Sequence, residues 1–156
     1  MVRLKHRYFV LELAPPGEKA HARLVVNEDA IYRAVLEVVD QIHGDYGVAT
    51  VRSRLIVKYC NAVTRVALLR VSHAAHRLLA SALPFMTSLE GQPITPRTLY
   101  MGATIMHCFR FLKRHQESHL EEMWASADPH RRHQMREAIM ALKLPNIAET
   151  RGLPGV

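Results

Sequence analysis

The start of the chain joins a run of cations directly to an apolar segment with the alternation of a β-strand. In an extended backbone Arg3, Lys5 and Arg7 lie on one side. The same side continues with three apolar residues, namely Phe9, Leu11 and Leu13. Because unpaired cations are not buried, the strand must begin outside the core, facing water or an anion. RNA phosphate is the leading candidate for that anion.

Composition limits the class of protein. A chain of 156 residues with 49% hydrophobic and 22% charged residues is typical of one folded, soluble domain. The net charge of +7 and the pI near 9.8 favour an anionic partner. The only cysteines, Cys60 and Cys108, are far apart and predict no disulfide. With no apolar run of roughly 18 residues and no signal peptide, we expect a cytosolic or nuclear protein.

Hydrophobic periodicity divides the chain into strands and helices. The predicted strands are 3–13, 48–59, 62–71 and a short one at 98–103. The predicted helices begin at Asn27, Ser72, near Thr104 and at Asp128; the first ends at Gly44 and the second at or near Pro84. The strand at 62–71 is apolar on both faces, which predicts a central position in the sheet.

The order β-α-β-β-α-β followed by two helices predicts an α+β fold, the ferredoxin-like split βαβ sandwich with a C-terminal helical extension. Its four-stranded antiparallel sheet carries two helices on one face. We expect residues 1–126 to form this domain, including the third helix, and 127–156 to form a helix and tail. The other face would expose Val66 and Leu68, which predicts a protein partner there.

Patterns that would indicate catalysis or metal binding are weak. His115 and His119 have the spacing of a zinc-protease motif, but Glu117 is displaced from the position of the catalytic base. The sequence has no nucleophile elbow and no glycine-rich phosphate loop. We therefore expect a binding protein without catalytic residues, metal site or cofactor of its own.

The basic residues are the remaining signal, because they cluster and are interleaved with tyrosines. The candidate RNA-binding residues from this pattern are Arg3, Lys5, Arg7 and Tyr8, then Arg52, Arg54, Lys58 and Tyr59, then Arg110, Lys113 and Arg114. The third strand lacks the aromatic residues on which an RNA recognition motif stacks bases. Phosphate contacts are therefore the expected mode of binding.

Five segments together carry a resemblance to a known family. They are MVRLKHRYFVLEL, IHGDYG, VKYCNAVTRVALLRV, LLASALPFMTSLEG and TLYMGATIMHCFRFL. In order and spacing they resemble the small Pop-family protein subunit shared by nuclear ribonuclease P and RNase MRP. The resemblance covers roughly residues 1 to 115.

The resemblance implies an accessory subunit of a ribonucleoprotein that removes the 5′ leader from precursor tRNA. It implies that the RNA subunit and its Mg²⁺ carry the chemistry. The implied partners are that catalytic RNA, a barrel-shaped protein subunit and the other ribonuclease P proteins, with precursor tRNA nearby and no membrane. The implied location is the nucleus, within it the nucleolus, with rRNA processing through RNase MRP.

The resemblance also carries over to individual residues. The family's N-terminal motif, expected near the catalytic core, corresponds to Arg3, Lys5, His6 and Arg7. Its second motif corresponds to Lys58, Tyr59 and Asn61, and its third to Thr98, Leu99, Gly102, Thr104 and Ile105. Ala103 and Met106 depart from the commoner residues of the third motif.

Two alternatives remain open from the sequence. The chain could be a protein-interaction scaffold with a non-specific basic surface, which retention on RNA at moderate salt would test. It could also be a self-contained metal-dependent nuclease, which would require a carboxylate cluster that the sequence does not show.

Overall fold

The structure is a computed structural model that describes residues 4–17, 26–62 and 64–126, with side chains to residue 118 of the last helix. The strands are β1 His6–Ala14, β2 Ile56–Asn61, β3 Val66–Ser72, β4 Ser88–Leu89, β5 Gln92–Pro93 and β6 Thr95–Gly102. The helices are α1 Glu28–Arg52, α2 His76–Ala82 and α3 Ile105–Ser126, with a 3-10 turn at Leu83–Phe85. Arg3 and the predicted fourth helix lie outside the described residues, as does the predicted boundary after residue 126.

The main sheet has four strands in the order β2-β3-β1-β6, with every neighbouring pair antiparallel. This confirms the predicted ferredoxin-like arrangement and the central position of the third strand. The small hairpin of β4 and β5 was not predicted from the sequence. Its turn contains Glu90 and Gly91, both with positive φ.

Helix α1 is longer than predicted. Gly44 does interrupt it, with φ of 62°, but the helix resumes and continues to Arg52. The segment after the kink packs closely on the one before it, because a Cβ at Gly47 would lie 2.3 Å from the Cβ of His43. The prediction of a strand from residue 48 was therefore wrong for the part before Ile56. Its apolar positions also fit a short helix, and packing selects the helix.

The main core lies between the sheet and the helices α1 and α2. The odd-numbered positions of β1 and β3 supply its sheet side, as Phe9, Leu11 and Leu13 and as Ala67, Leu69 and Val71. Helix α1 contributes Ile31, Val35 and Val39, and α2 contributes Leu79 and Ala82. Alternation along the strands explains why these side chains share one face.

Helix α3 covers part of the opposite face and forms a second core there. Its inward residues are Cys108, Phe109 and Leu112, which pack with Val10, Val66 and Leu68 of the sheet. Val66 is 2% exposed and Leu68 is 1% exposed. The prediction that Val66 and Leu68 form an exposed partner surface is therefore wrong. The apolar stripe of α3 needed a surface to pack on, and these two side chains provide it.

The junction between β6 and α3 is tightly packed. A Cβ at Gly102 would lie 2.9 Å from Cys108 Sγ and 2.9 Å from Tyr100 Cε1. The Cys108 thiol is buried, which raises its pKa to about 11, and it donates to the carbonyl of Tyr8 over 3.9 Å. Tyr100 stacks on Phe111 with ring centroids 4.9 Å apart. A small residue at position 102 is thus required for α3 to begin against the sheet.

Candidate nucleic-acid interface

Strand pairing gathers cations at one end of the sheet. The start of β1 lies beside the end of β3, with His6 opposite Ser72 and Tyr8 opposite Arg70. The other neighbour of β3 is β2, whose Ile56 is also opposite Arg70. Arg70 therefore lies between the starts of β1 and β2, close to the predicted basic opening of the chain.

The segment after β3 adds further basic residues to the same end. The backbone N–H of His73 donates to the carbonyl of Lys5 over 2.9 Å. The rings of His73 and His76 lie 4.8 Å apart, and Arg77 follows on α2. We call this group the basic end; it comprises Lys5, His6, Arg7, Arg54, Arg70, His73, His76 and Arg77.

The charge of the basic end is not neutralised within the described part of the chain. None of its arginines and lysines forms an ion pair with a described residue. The ion pairs seen elsewhere join Arg97 to Glu12 at 2.6 Å and Arg33 to Glu90 at 3.0 Å. In addition, the Nε of Arg70 is shielded from solvent and has no hydrogen-bond partner. Such an arrangement attracts anions.

Two histidines of the basic end have pKa values that are lowered by burial and by neighbouring positive charges. The pKa of His6 is lowered from 6.5 by burial, then by the charges of Arg70 and Arg54. The pKa of His73 is lowered by partial desolvation, then by Arg7, His76, Lys5 and Arg77. In both cases the neighbouring charges are positive, so the imidazolium form is disfavoured until an anion is present.

The predicted N-terminal residues differ in exposure. Lys5 is exposed, whereas His6, Arg7 and Tyr8 are half-buried. Arg7 donates from Nη1 to the carbonyl of His6 over 3.3 Å. Tyr8 packs against the second core. Of the predicted cationic row, Lys5 is therefore exposed, Arg7 is only partly exposed, and Arg3 lies outside the described residues.

The second predicted group is divided by the structure. Arg54 precedes β2 and belongs to the basic end, while Arg52 is exposed on the last turn of α1. Lys58 is half-buried at the irregular pairing between Val57 and Tyr59. The ring of Tyr59 packs against the second core. Only Arg54 of this group is thus brought to the predicted N-terminal cations.

Asn61 has a structural role in the turn between β2 and β3. Its side chain is 7% exposed. The Oδ1 atom accepts from the backbone N–H of Thr64 at 3.2 Å, and the Nδ2 atom donates to the Tyr59 hydroxyl at 3.0 Å. Arg65 in the same turn has a positive φ of 55°. With its amide engaged inside the turn, Asn61 fixes the backbone of this connection.

The third predicted group lies on helix α3. Arg110 and Lys113 are exposed on α3, one turn apart, and the buried Phe109 and Leu112 precede them by one residue each. Arg114 is also exposed. The first compact unit of the chain ends at Lys113 and the second begins at Arg114. Arg110 and Lys113 are therefore solvent-accessible cations within the first unit.

Sequence reasoning missed part of the basic end. Arg70, His73, His76 and Arg77 are not among the candidate RNA-binding residues predicted from the sequence. A signal for Arg70 existed, because the ferredoxin-like strand order places the end of the third strand beside the start of the first. Combining strand order with the charge pattern would have identified it.

Metal ligands and thiols are the other chemically relevant groups in the described part of the chain. The described residues contain no cluster of three or more histidine, cysteine, aspartate or glutamate side chains that could hold a metal ion. Burial, followed by the charge of Glu28, raises the pKa of Cys60, so this thiol is not activated. No helix among residues 4–17, 26–62 and 64–126 is long and apolar enough to cross a membrane.

The amino-acid sequence matches a known protein family. The model of the Rpp14/Pop5 family matches residues 7–113, which include both cores and most of the basic end. The chain belongs to the Rpp14/Pop5 family. The match begins at Arg7 and ends at Lys113, where the first compact unit also ends.

Similar proteins of this family are known from several animals. A mouse protein is 39% identical over 116 residues, which are 72% of this chain and 68% of the mouse protein. A zebrafish protein is 34% identical over 151 residues, covering 92% of this chain and 88% of the zebrafish protein. Both carry the name ribonuclease P/MRP protein subunit POP5.

A solved structure supports the fold. One chain of the cryo-EM structure of yeast ribonuclease MRP is similar to this protein with a TM-score of 0.51 and 14% sequence identity. The similarity covers 80% of this chain and 98% of the yeast chain. At this identity the match supports the ferredoxin-like fold alone.

Proposed function

We propose that this chain is a protein subunit of the ribonuclease P ribonucleoprotein, and of RNase MRP, and that it binds their RNA. Membership of the Rpp14/Pop5 family supports the subunit role, since its similar relatives carry the name of such a subunit. The unneutralised charge of the basic end carries the RNA-binding part of the proposal. Phosphate contacts of this kind position a protein on RNA without reading its sequence.

In this proposal the protein does not perform the cleavage. The RNA subunit and its Mg²⁺ remove the 5′ leader from precursor tRNA, and this chain stabilises the RNA around the reaction. A barrel-shaped protein subunit and the other ribonuclease P proteins complete the assembly, which acts in the nucleus and nucleolus. Arg52 on the last turn of α1 and the exposed cations of α3 add contacts to those of the basic end.

Affinity purification of the full chain from cells tests the proposal. An epitope-tagged protein should retain the RNA subunits of ribonuclease P and RNase MRP, and the pellet should cleave precursor tRNA at the mature 5′ end. The purified chain alone should not cleave it. Pellets without either RNA at moderate salt would contradict the proposal and favour a protein-interaction scaffold with a non-specific basic surface.

A further inference from the structure

Three residues of the basic end come from three different segments, and two of them lie on the α3 side of the sheet. His6 is on β1, Arg70 is on β3 and Arg54 precedes β2. Val10 and Leu68 belong to the second core, so alternation places His6 and Arg70 on that same side. The charges of Arg70 and Arg54 both act on the His6 ring. Because Tyr8 is paired with Arg70, His6 and Arg70 are diagonal neighbours on this face, within reach of one ligand. Arg54 precedes Ile56, which is paired with Arg70 on its other side.

Arg70, the central residue of this group, has a hydrogen-bond donor that no described residue satisfies. Arg70 is half-buried and its Nε has no hydrogen-bond partner. An unpaired buried N–H group costs free energy, which an acceptor within reach recovers. The planar fork of an arginine matches the oxygen pair of a phosphate. No described carboxylate forms an ion pair with Arg70 or Arg54.

We infer that Arg70, Arg54 and His6 together bind one phosphodiester group of the RNA. This inference rests on the proposed function, because the RNA of the ribonucleoprotein is the occupant. It differs from a general basic surface in a measurable respect. Two arginines on one phosphate act together, whereas scattered cations each neutralise a separate phosphate.

The test measures the affinity of the full chain for transcribed ribonuclease P RNA from its own organism over a series of salt concentrations. The variants are Arg70→Gln, Arg54→Gln and the double variant. Each single change should weaken binding by about tenfold, as expected for a lost hydrogen bond to a charged group. Because both arginines serve the same ligand, the double variant should lose less than the product of the single losses.

The salt dependence gives an independent count of phosphates. Loss of one phosphate contact flattens the plot of log affinity against log salt by about 0.7 to 0.9. The double variant should therefore flatten by about that amount. A flattening twice as large would mean that the arginines contact separate phosphates, which would overturn the inference. Arg70→Lys should keep the slope but not the full affinity, because it keeps the charge and loses the fork.

Arg33→Gln is the matched control. It removes the same charge from an exposed arginine of α1, whose partner is the Glu90 carboxylate of the same chain rather than an external anion. Its RNA affinity should stay close to that of the unchanged protein. Urea unfolding of every variant separates loss of binding from loss of fold. If Arg70→Gln fails to fold, Arg54→Gln and His6→Gln still test the site, since Arg54 is exposed in a turn.

The remaining outcomes separate this inference from the proposed function. If the unchanged chain binds the RNA and the Arg70 and Arg54 variants bind like the control, the shared site is wrong and the proposed function stands. If the unchanged chain binds no RNA, both fail. If the Arg70 and Arg54 variants lost affinity only for a length-matched poly-glutamate peptide, the site would be reassigned to a protein partner. If inorganic phosphate at equal phosphate concentration displaced the RNA, the site would be reassigned to the free anion.

Discussion

The two faces of the sheet are built from the same strands but are covered differently. The face under α1 and α2 is apolar along its strands and is sealed by two helices. The opposite face is divided, because α3 covers its apolar middle while Arg70 and His6 lie beyond it. On the divided face a short stretch of β3 passes from the buried Leu68 to the cationic Arg70. Position along a strand, as well as side, therefore decides whether a residue is buried in a core or lies at the basic end.

The largest expected effect comes from a charge placed in the covered part of the divided face. Leu68→Asp would bury a carboxylate without a partner under α3, at a cost above about 4 kcal/mol. Most of the stability of a domain of this size would be lost. Circular dichroism and urea unfolding should show it. Met101→Asp is the control, since Met101 is 46% exposed on the edge strand and should tolerate the charge.

A milder pair of substitutions compares the two faces directly. Leu68 and Leu69 are adjacent on β3, point to opposite faces and are 1% and 0% exposed. Leu68→Ala and Leu69→Ala should each cost about 2 to 5 kcal/mol of unfolding free energy, because each leaves a cavity. A near-neutral Leu68→Ala in the isolated chain would contradict the packing of α3. It would restore the open partner surface expected from the sequence.

The sequence predicted the fold well because its signals were local. Asn27 does cap α1, accepting from the N–H of Asp29 at 3.4 Å, and the apolar third strand is central. The covering of Leu68 could not be predicted in this way. The stripe of α3 indicated that the helix packs on something, but its partner is far away in sequence. Similarly, the spacing of Ala49 and Val51 is compatible with a strand or a helix. Close packing around Gly47 selects the helix.

The candidate site shows the same division. Lys5, Arg7 and Arg54 could be selected because they lie in dense basic clusters. Arg70 stands alone among apolar residues, and only the register of β3 with β1 and β2 gives it a role. Asn61 was selected through the family resemblance, yet its hydrogen bonds lie inside a turn. A family motif therefore indicates an important position, but it does not reveal whether the residue contacts a ligand or stabilises the fold.

A third prediction concerns the start of the helix that divides the second face. Gly102→Ala should cost about 1 to 3 kcal/mol through overpacking, because its Cβ would press on Cys108 Sγ and Tyr100. Urea unfolding measures the loss. Thr98→Ala is the control, since Thr98 is exposed on the same strand and should change the unfolding free energy little. A cost for Gly102→Ala as small as that of Thr98→Ala would contradict the tight junction.

The smallest expected effect is a pH dependence of stability. It arises at the basic end and not in either core. The pKa of His6 is lowered from 6.5 in the folded chain, first by burial and then by Arg70 and Arg54. Between the folded pKa and 6.5 the unfolded chain binds more protons, so stability rises with pH in this window and is lost on acidification. The urea midpoint should therefore fall as the pH drops from about 8 to about 5.

RNA binding should show the opposite trend over the same window. A phosphate beside His6 favours the imidazolium form, so affinity should rise as the pH falls while the free protein becomes less stable. His6→Gln should reduce both trends. The remaining pH dependence should come from His73, whose pKa is also lowered in the folded chain. In the free protein, Arg70→Gln should raise the pKa of His6 measured by NMR titration of its ring protons. An unchanged titration would mean that Arg70 does not face His6, and the two residues would not belong to one site.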